Sequence, residues 1–193
     1  MNFLAHFALA GEDEGLLLGN FMADFMNGND HLEYPHPIRK GVEMHRFIDF
    51  YTDSHEVFRK SKRLLKPYRH YSGVILDVFY DHFLAKNWSE LFDVSYEDFI
   101  AKTYHTLSLN NDRLPLSAQK PLKSMVYYDW LYHYQYIDGI ERVLEGMTKR
   151  TKYNSQMNES IYELVKHYEA FNDDFMLFWK DIYSETNKYR ITV

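Results

Sequence analysis

The sequence predicts an all-α fold, a single-domain helical bundle. Three observations carry that expectation. No stretch alternates apolar and polar residues with period two between turn signals. Apolar residues recur instead at helical spacing, as at Ile161, Leu164, Val165, Tyr168, Phe171, Phe175, Phe178 and Ile182. Polar residues set into apolar runs repeat four apart, which stacks them on one helix face. The chain of 193 residues suits one domain spanning 1–193, with no internal repeat, low-complexity tract or linker.

The first helix covers residues 2 to 10 and stops at Gly11. The acidic residues Glu12 to Glu14 suit the start of a second helix, where the helix dipole favours negative charge. It is expected to run to about Asn27, with Gly28-Asn29-Asp30 as its stop. A loop with Pro35 follows, and Pro37 fits the first turn of a central helix. Asp53-Ser54-His55-Glu56 resembles a capping box, which would end the central helix near Tyr51 and start another. Ser72 can cap a helix reaching about Trp88, and Ser95 starts one ending near Asn110. After a turn at 111 to 117, a helix from Ser117 to about Gln135 is broken or kinked near Asp138-Gly139 and followed by another to Arg150. A long helix from about Ser155 to Tyr189 completes the chain and reads mainly as core.

Composition narrows the function. An apolar fraction of 46% can fill a core, and 18% aromatics make that core bulky. With no cysteine, disulfides, thiolate zinc sites and cysteine nucleophiles are excluded. Any metal is then held by His, Asp, Glu, Asn or water, which suits Mn, Mg, Fe or Zn. A formal net charge of −6 argues against nucleic-acid binding. The stretch MNFLAHFALAGEDEG lacks the basic region of a signal peptide, and no uncharged apolar run approaches the roughly 20 residues that span a bilayer. A soluble cytoplasmic protein is the expectation.

The chemistry centres on GVEMHRFIDFYTD, residues 41 to 53, which places His45, Asp49 and Asp53 four apart among Met44, Phe47, Ile48 and Tyr51. Asp53 either extends the stripe or caps the next helix. Asn20 and Asp24 form a second pair at this spacing, and Asp77 and Asp81 a third, with His82 beside it. Asn2 and His6 form a fourth. One such stripe is ordinarily a satisfied core pair; several in one domain argue that they meet at one site. A divalent ion held there would lower the pKa of a bound water and supply a hydrolytic nucleophile. A spare carboxylate or His would orient that water or protonate the leaving oxygen. His82, about 100° around the helix from Asp81, would face a substrate or pack passively. Arg46 is a candidate cation for a phosphate ester, or a surface ion pair. The run FRKSKRLLKPYRH carries Arg59, Lys60, Lys62, Arg63, Lys66 and Arg69 with no acidic residue, either a solvated face or a docking patch for an acidic partner. No phosphate loop, dinucleotide fingerprint, paired Glu-x-x-His motif or nucleophile elbow is present.

MNFLAH, GNFMADF (19 to 25), GVEMHRFIDFYTD and LDVFYDHFLAKNW (76 to 88) together resemble the acyl carrier protein phosphodiesterases, also called acyl carrier protein hydrolases. The resemblance covers the first half closely; the second half matches in length and aromatic helical character. It implies a distorted HD-phosphohydrolase-like fold. It also implies a divalent-metal-dependent phosphodiesterase, manganese preferred and Mg or Fe possible, that releases 4′-phosphopantetheine from holo acyl carrier protein. By position it points to Asp24, His45, Asp77 and Asp81 as metal ligands, with His6 and Asp49 close behind as ligands or as groups that support the ligands; His6, Asp49 and His82 are the candidate catalytic groups. Asn20, Arg46 and the cations Arg59, Lys62, Arg63, Lys66 and Arg69 would contact the substrate or its acidic carrier. The chain lacks the adjacent His-Asp pair of typical HD enzymes and has Asp81-His82 in reversed order. Two other readings remain: a metal-dependent phosphohydrolase acting on nucleotides or other small phosphoesters, and a non-catalytic helical binding protein whose stripes are buried ion pairs.

Overall fold

In the computed structural model, which describes residues 1–191, two nearly all-buried helices form the axis of the molecule. The first is α1 (Phe3–Ala10), in which Leu4, Ala5, His6, Phe7, Ala8, Leu9 and Ala10 are all buried. The second, longer one is α5 (Ser72–Lys86). No strand occurs among the described residues, and the chain forms one all-α domain. Thr192 and Val193, the end of the expected 1–193 span, lie outside the described residues.

The remaining helices wrap this axis. Helix α2 (Glu14–Ala23) starts at Asp13, whose carboxylate accepts the Leu16 N–H at 2.8 Å. It ends at Ala23, four residues short of the sequence expectation, because the chain tightens into turns with Phe25 N–H on Met22 O and Met26 N–H on Ala23 O. A 3₁₀ turn (Asp30–Glu33) leads to α3 (His36–Ser54), with Pro37 in its first turn. Helix α3 passes through Asp53, so the capping box does not form. The hydroxyls of Thr52 and Ser54 bond back to Ile48 O and Tyr51 O of their own helix. The break comes instead at extended His55, which makes no side-chain cap to α4 (Glu56–Lys62). A 3₁₀ segment (Arg63–Tyr71) follows and feeds α5 (Ser72–Lys86). Ser72 does not cap α5; its hydroxyl donates to Arg69 O.

After the short α6 (Trp88–Leu91), α7 (Tyr96–Leu109) is capped as expected, with Ser95 Oγ accepting the Asp98 N–H. The expected helix from Ser117 to Gln135 is two: α8 (Leu116–Tyr127) and α9 (Trp130–His133). The break is Asp129 at φ 48°, the left-handed region that aspartate tolerates better than most residues. Helix α10 (Ile137–Arg150) follows directly, and α11 (Ile161–Lys166) is separated from α12 (Tyr168–Ile191) by His167. Helix α12 packs on α1, α3, α4 and α5, while α10 covers another side of α5.

The tightest helix pair is α2 with α3, and glycine makes it possible. An added Cβ on Gly19 would lie 2.6 Å from Gly41 Cα, and one on Gly41 would lie 2.6 Å from Leu16 O. Backbone meets backbone at this crossing, which brings the polar stripes of the two helices side by side.

Candidate metal centre

The site is assembled where α1, α2, α3 and α5 converge. Helix α1 delivers His6 and is anchored from outside its own sequence. Leu4 N–H and Ala5 N–H donate to Asp81 Oδ2 and Oδ1 at 2.8 and 3.1 Å. Asp81 therefore satisfies donors that the helix itself leaves open, and so fixes the position of His6. Asn2, at the cap position, makes no such bond.

His6 and His45 are buried and stacked, ring centres 3.9 Å apart. Both rings are held through Nδ1 by the same residue. His6 Nδ1–H donates to Asn20 Oδ1 at 3.1 Å, and His45 Nδ1–H donates to Asn20 O at 3.0 Å. The Asn20 amide is oriented by its own donation to Leu16 O. With their protons on Nδ1, the rings present Nε2 lone pairs. His45 Nε2 lies 3.1 Å from Asp49 Oδ2 and 3.5 Å from Asp24 Oδ1, and His6 Nε2 lies 3.3 Å from Asp49 Oδ1. Lone pairs thus face carboxylate oxygens, an arrangement that a cation stabilises. One ligand atom each from His6, His45 and Asp49 lies within 4.8 Å of the others, a grouping that could hold a metal ion. Imidazole and carboxylate are the donor types for Mn, Fe or Zn. Fixing Nδ1 so that Nε2 is free is the usual support for a metal-ligating histidine.

The electrostatics agree. Burial, helped by neighbouring His45 and the Met1 ammonium, lowers His6 to about 4, so the ring is neutral and a competent ligand at neutral pH. Burial pushes Asp49 up, but the Nε2–H groups that His45 and His6 present when protonated there, together with the Met1 ammonium, outweigh it and hold the carboxylate well below its usual range; a cation facing the neutral rings would favour the carboxylate in the same sense. The Met1 ammonium lies 3.3 Å from Asp49 Oδ1 and 3.1 Å from Asp77 Oδ1. Burial disfavours its charge, yet Asp77 and Asp49 raise it to about 10. Burial raises Asp77, and it raises Asp81 to about 7.

The cluster opens on a cavity of about 420 Å³ lined by Asp24, Asp49, Asp53 and Asp77, with Phe3, Trp130, Met147 and Arg150 among its other walls. Asp53, carried there by the uninterrupted α3, belongs to this cavity.

Comparison with known proteins bears directly on what such a site is for. The model of the acyl carrier protein phosphodiesterase family matches residues 1–182. Proteins of that name from Yersinia pestis and Photorhabdus laumondii are each 34% identical, over 183 and 184 residues. The matches cover 93% of this chain in both cases, and 94% and 90% of the relatives. One from Escherichia coli is 33% identical over 192 residues, covering 97% of this chain and 98% of its own. The chain belongs to the acyl carrier protein phosphodiesterase family. No solved structure matches it.

Within this family member, the structure brings together His6, Asp24, His45, Asp49 and Asp77 of the residues named from sequence. It places others elsewhere. Asp81, expected as a ligand, spends both oxygens on the α1 backbone, because the same spacing that pairs it with Asp77 turns it beneath α1. His82 is turned away under α9: Nδ1–H donates to Tyr134 O at 2.8 Å, and Nε2 accepts the Tyr168 hydroxyl at 2.8 Å. Asn20 holds the histidines and does not line the cavity. Arg46 reaches out to Gly28 O at 2.7 Å. The Met1 ammonium and Arg150 were not legible beforehand. Neither an amino terminus nor a basic residue at a helix C-terminus carries a local sign of function.

The double grip of Asn20 has a measurable consequence. Asn20→Leu keeps the volume but removes the acceptor for His6. Metal affinity should fall roughly 10- to 100-fold in a Mn²⁺ titration. Unchanged affinity would mean that the amide does not set the ligand geometry.

Proposed function

We propose that this phosphodiesterase is metal-dependent and cuts the ester between the serine of holo acyl carrier protein and 4′-phosphopantetheine. The observation that carries the reading is the convergence of two buried, Nδ1-anchored imidazoles on Asp49. His6, His45 and Asp49 would hold a divalent ion, manganese foremost, with Asp24 beside them. Such an ion supplies Lewis-acid activation of water and of the phosphoryl oxygens.

In the hydrolysis a water oxygen bonds to phosphorus, the phosphorus–serine oxygen bond breaks, and one proton moves to the serine oxygen. Asp77 and Asp24 line the cavity as carboxyl groups able to accept the proton of water or return it to the leaving oxygen. No helix among the described residues is long and apolar enough to cross a membrane. The distorted HD-like likeness is part of the same reading, resting on sequence.

The carrier would dock on the basic segment. Arg59, Lys62, Arg63, Lys66 and Arg69 converge around one open depression that also touches Ser72 at the start of α5. Val74 and Asp77, on the same helix, line the catalytic cavity. A carrier held at the depression therefore stands next to the ester to be cut. Lys60 does not line this depression; its ammonium pairs with Asp174 at 2.6 Å. Reversing charge with Lys62→Glu and Arg63→Glu should raise KM for the carrier roughly tenfold, about 1.4 kcal/mol. A small aryl phosphodiester should be cut as before, and equal loss on both substrates would remove docking from this face.

The reaction itself is tested by incubating the protein and Mn²⁺ with holo acyl carrier protein and weighing the carrier. Loss of the phosphopantetheine mass is expected. An intact carrier, with nucleotides hydrolysed instead, would transfer the site to small phosphoesters.

A further inference from the structure

The catalytic cavity does not end at the metal cluster. A second chamber of about 500 Å³ lies against it under α10. Asn2, Phe3, Trp130, Met147 and Arg150 line both spaces, so the two lie side by side on the same five residues. The chamber lies within the range of about 300–1,000 Å³ that holds small ligands. Its other walls include the exposed Tyr128 ring, Val143 and Gly146, and Gly146 has open space where a side chain would narrow it. Its polar groups are His133, Asn2, whose amide donates to Tyr134 Oη at 3.3 Å, and the cations Arg142, Lys149 and Arg150.

Arg150 stands at the junction. Among the described residues it is the one Lys or Arg lining the catalytic cavity, whose other charges include four aspartates. Its Nε–H donates to Gly146 O at 3.2 Å, which fixes the guanidinium over the last turn of α10. An anionic phosphodiester entering a wall of carboxylates needs a cation fixed in this way, and a guanidinium presents paired donors to phosphoryl oxygens. Arg142 and Lys149 add positive charge at the chamber rim.

We propose that the chamber is the seat of the substrate's prosthetic arm: Arg150 holds the phosphoryl group at the junction, and the amide-containing pantetheine chain lies along Phe3, Trp130, Val143 and Met147. This rests on the phosphodiesterase reading above and deepens it. The enzyme would then recognise the arm as well as the carrier. Geminal methyl groups and two amides on a flexible chain match a largely apolar chamber with a few polar groups. Arg150 is accordingly a substrate-binding residue that acts beside the metal cluster.

Gly146 gives a clean test. A Cβ added there meets no atom within 4 Å, so a side chain can grow into the chamber without displacing backbone. 4′-Phosphopantetheine and inorganic phosphate are titrated calorimetrically into the Mn²⁺-loaded protein, wild type, Gly146→Phe, Gly146→Leu and Arg150→Gln. The wild type should bind 4′-phosphopantetheine at least tenfold more tightly than phosphate. Gly146→Phe should erase that preference, Gly146→Leu should reduce it, and Arg150→Gln should weaken both ligands. Equal wild-type affinity for the two, or a preference that survives Gly146→Phe, overturns the proposal, and the wild-type comparison stands even if a filled variant fails to fold. Failure to strip holo carrier while the preference persists would sink the reaction and keep the chamber. Stripping without any preference would sink the chamber alone.

Discussion

Replacing His45 with alanine should lower the release of 4′-phosphopantetheine from holo acyl carrier protein by at least about a thousandfold, or about 4 kcal/mol of transition-state stabilisation. His45 is the hub of the cluster: it stacks on His6, anchors to Asn20 O, and points Nε2 at Asp49 and Asp24. Asp49→Asn should fall as far, although its shape is unchanged, because it removes the carboxylate on which both rings converge. The isosteric change keeps the shape but also removes a partner of the buried Met1 ammonium, so its thermal midpoint should fall at neutral pH while the protein still folds, and activity is compared below that midpoint. A chelator should produce the same loss in the wild type, reversed by added Mn²⁺. A His45→Ala protein that retains a tenth of its activity would take the cluster out of the mechanism.

The largest effect on stability is expected at the α2–α3 crossing. Gly41→Val places a branched side chain where the backbone of α2 already lies, with Leu16 O and Gly19 Cα both inside contact distance of its Cβ. Relief requires the helices to part, and the cost should be about 3 kcal/mol or more. Separation also pulls Asn20 from His45, so metal binding should fail along with stability. Urea unfolding at neutral pH measures the first and Mn²⁺ titration the second. Gly146→Val is the comparison, since its Cβ meets nothing. Equal midpoints for the two variants would show that the crossing is not tight.

These residues also show what could be read in advance. The pairs His45/Asp49 and Asn20/Asp24 were legible because a spacing of four fixes a helix face, and several polar faces in apolar runs must meet somewhere. The same rule carried Asp81 and His82 into the expected site and could not say which neighbour each would face. Asp81 turned to the exposed N–H groups of α1, and His82 to Tyr134 and Tyr168. Asn20 was placed near the site, but its use of one side-chain oxygen and one carbonyl to fix two rings depends on the crossing at Gly19 and Gly41. Helix breaks at Asp129 and His167 interrupt stretches whose local pattern is helical throughout, so tertiary packing decides them. Arg150 had no sign at all, because a basic residue in the last turn of a helix is ordinary.

The most direct measurement is anomalous diffraction at the manganese edge from crystals grown with Mn²⁺. A peak is expected within ligating distance of His6 Nε2, His45 Nε2 and the Asp49 carboxylate. A peak elsewhere, or none at this cluster in a preparation that strips holo carrier, would contradict the assignment of the metal centre.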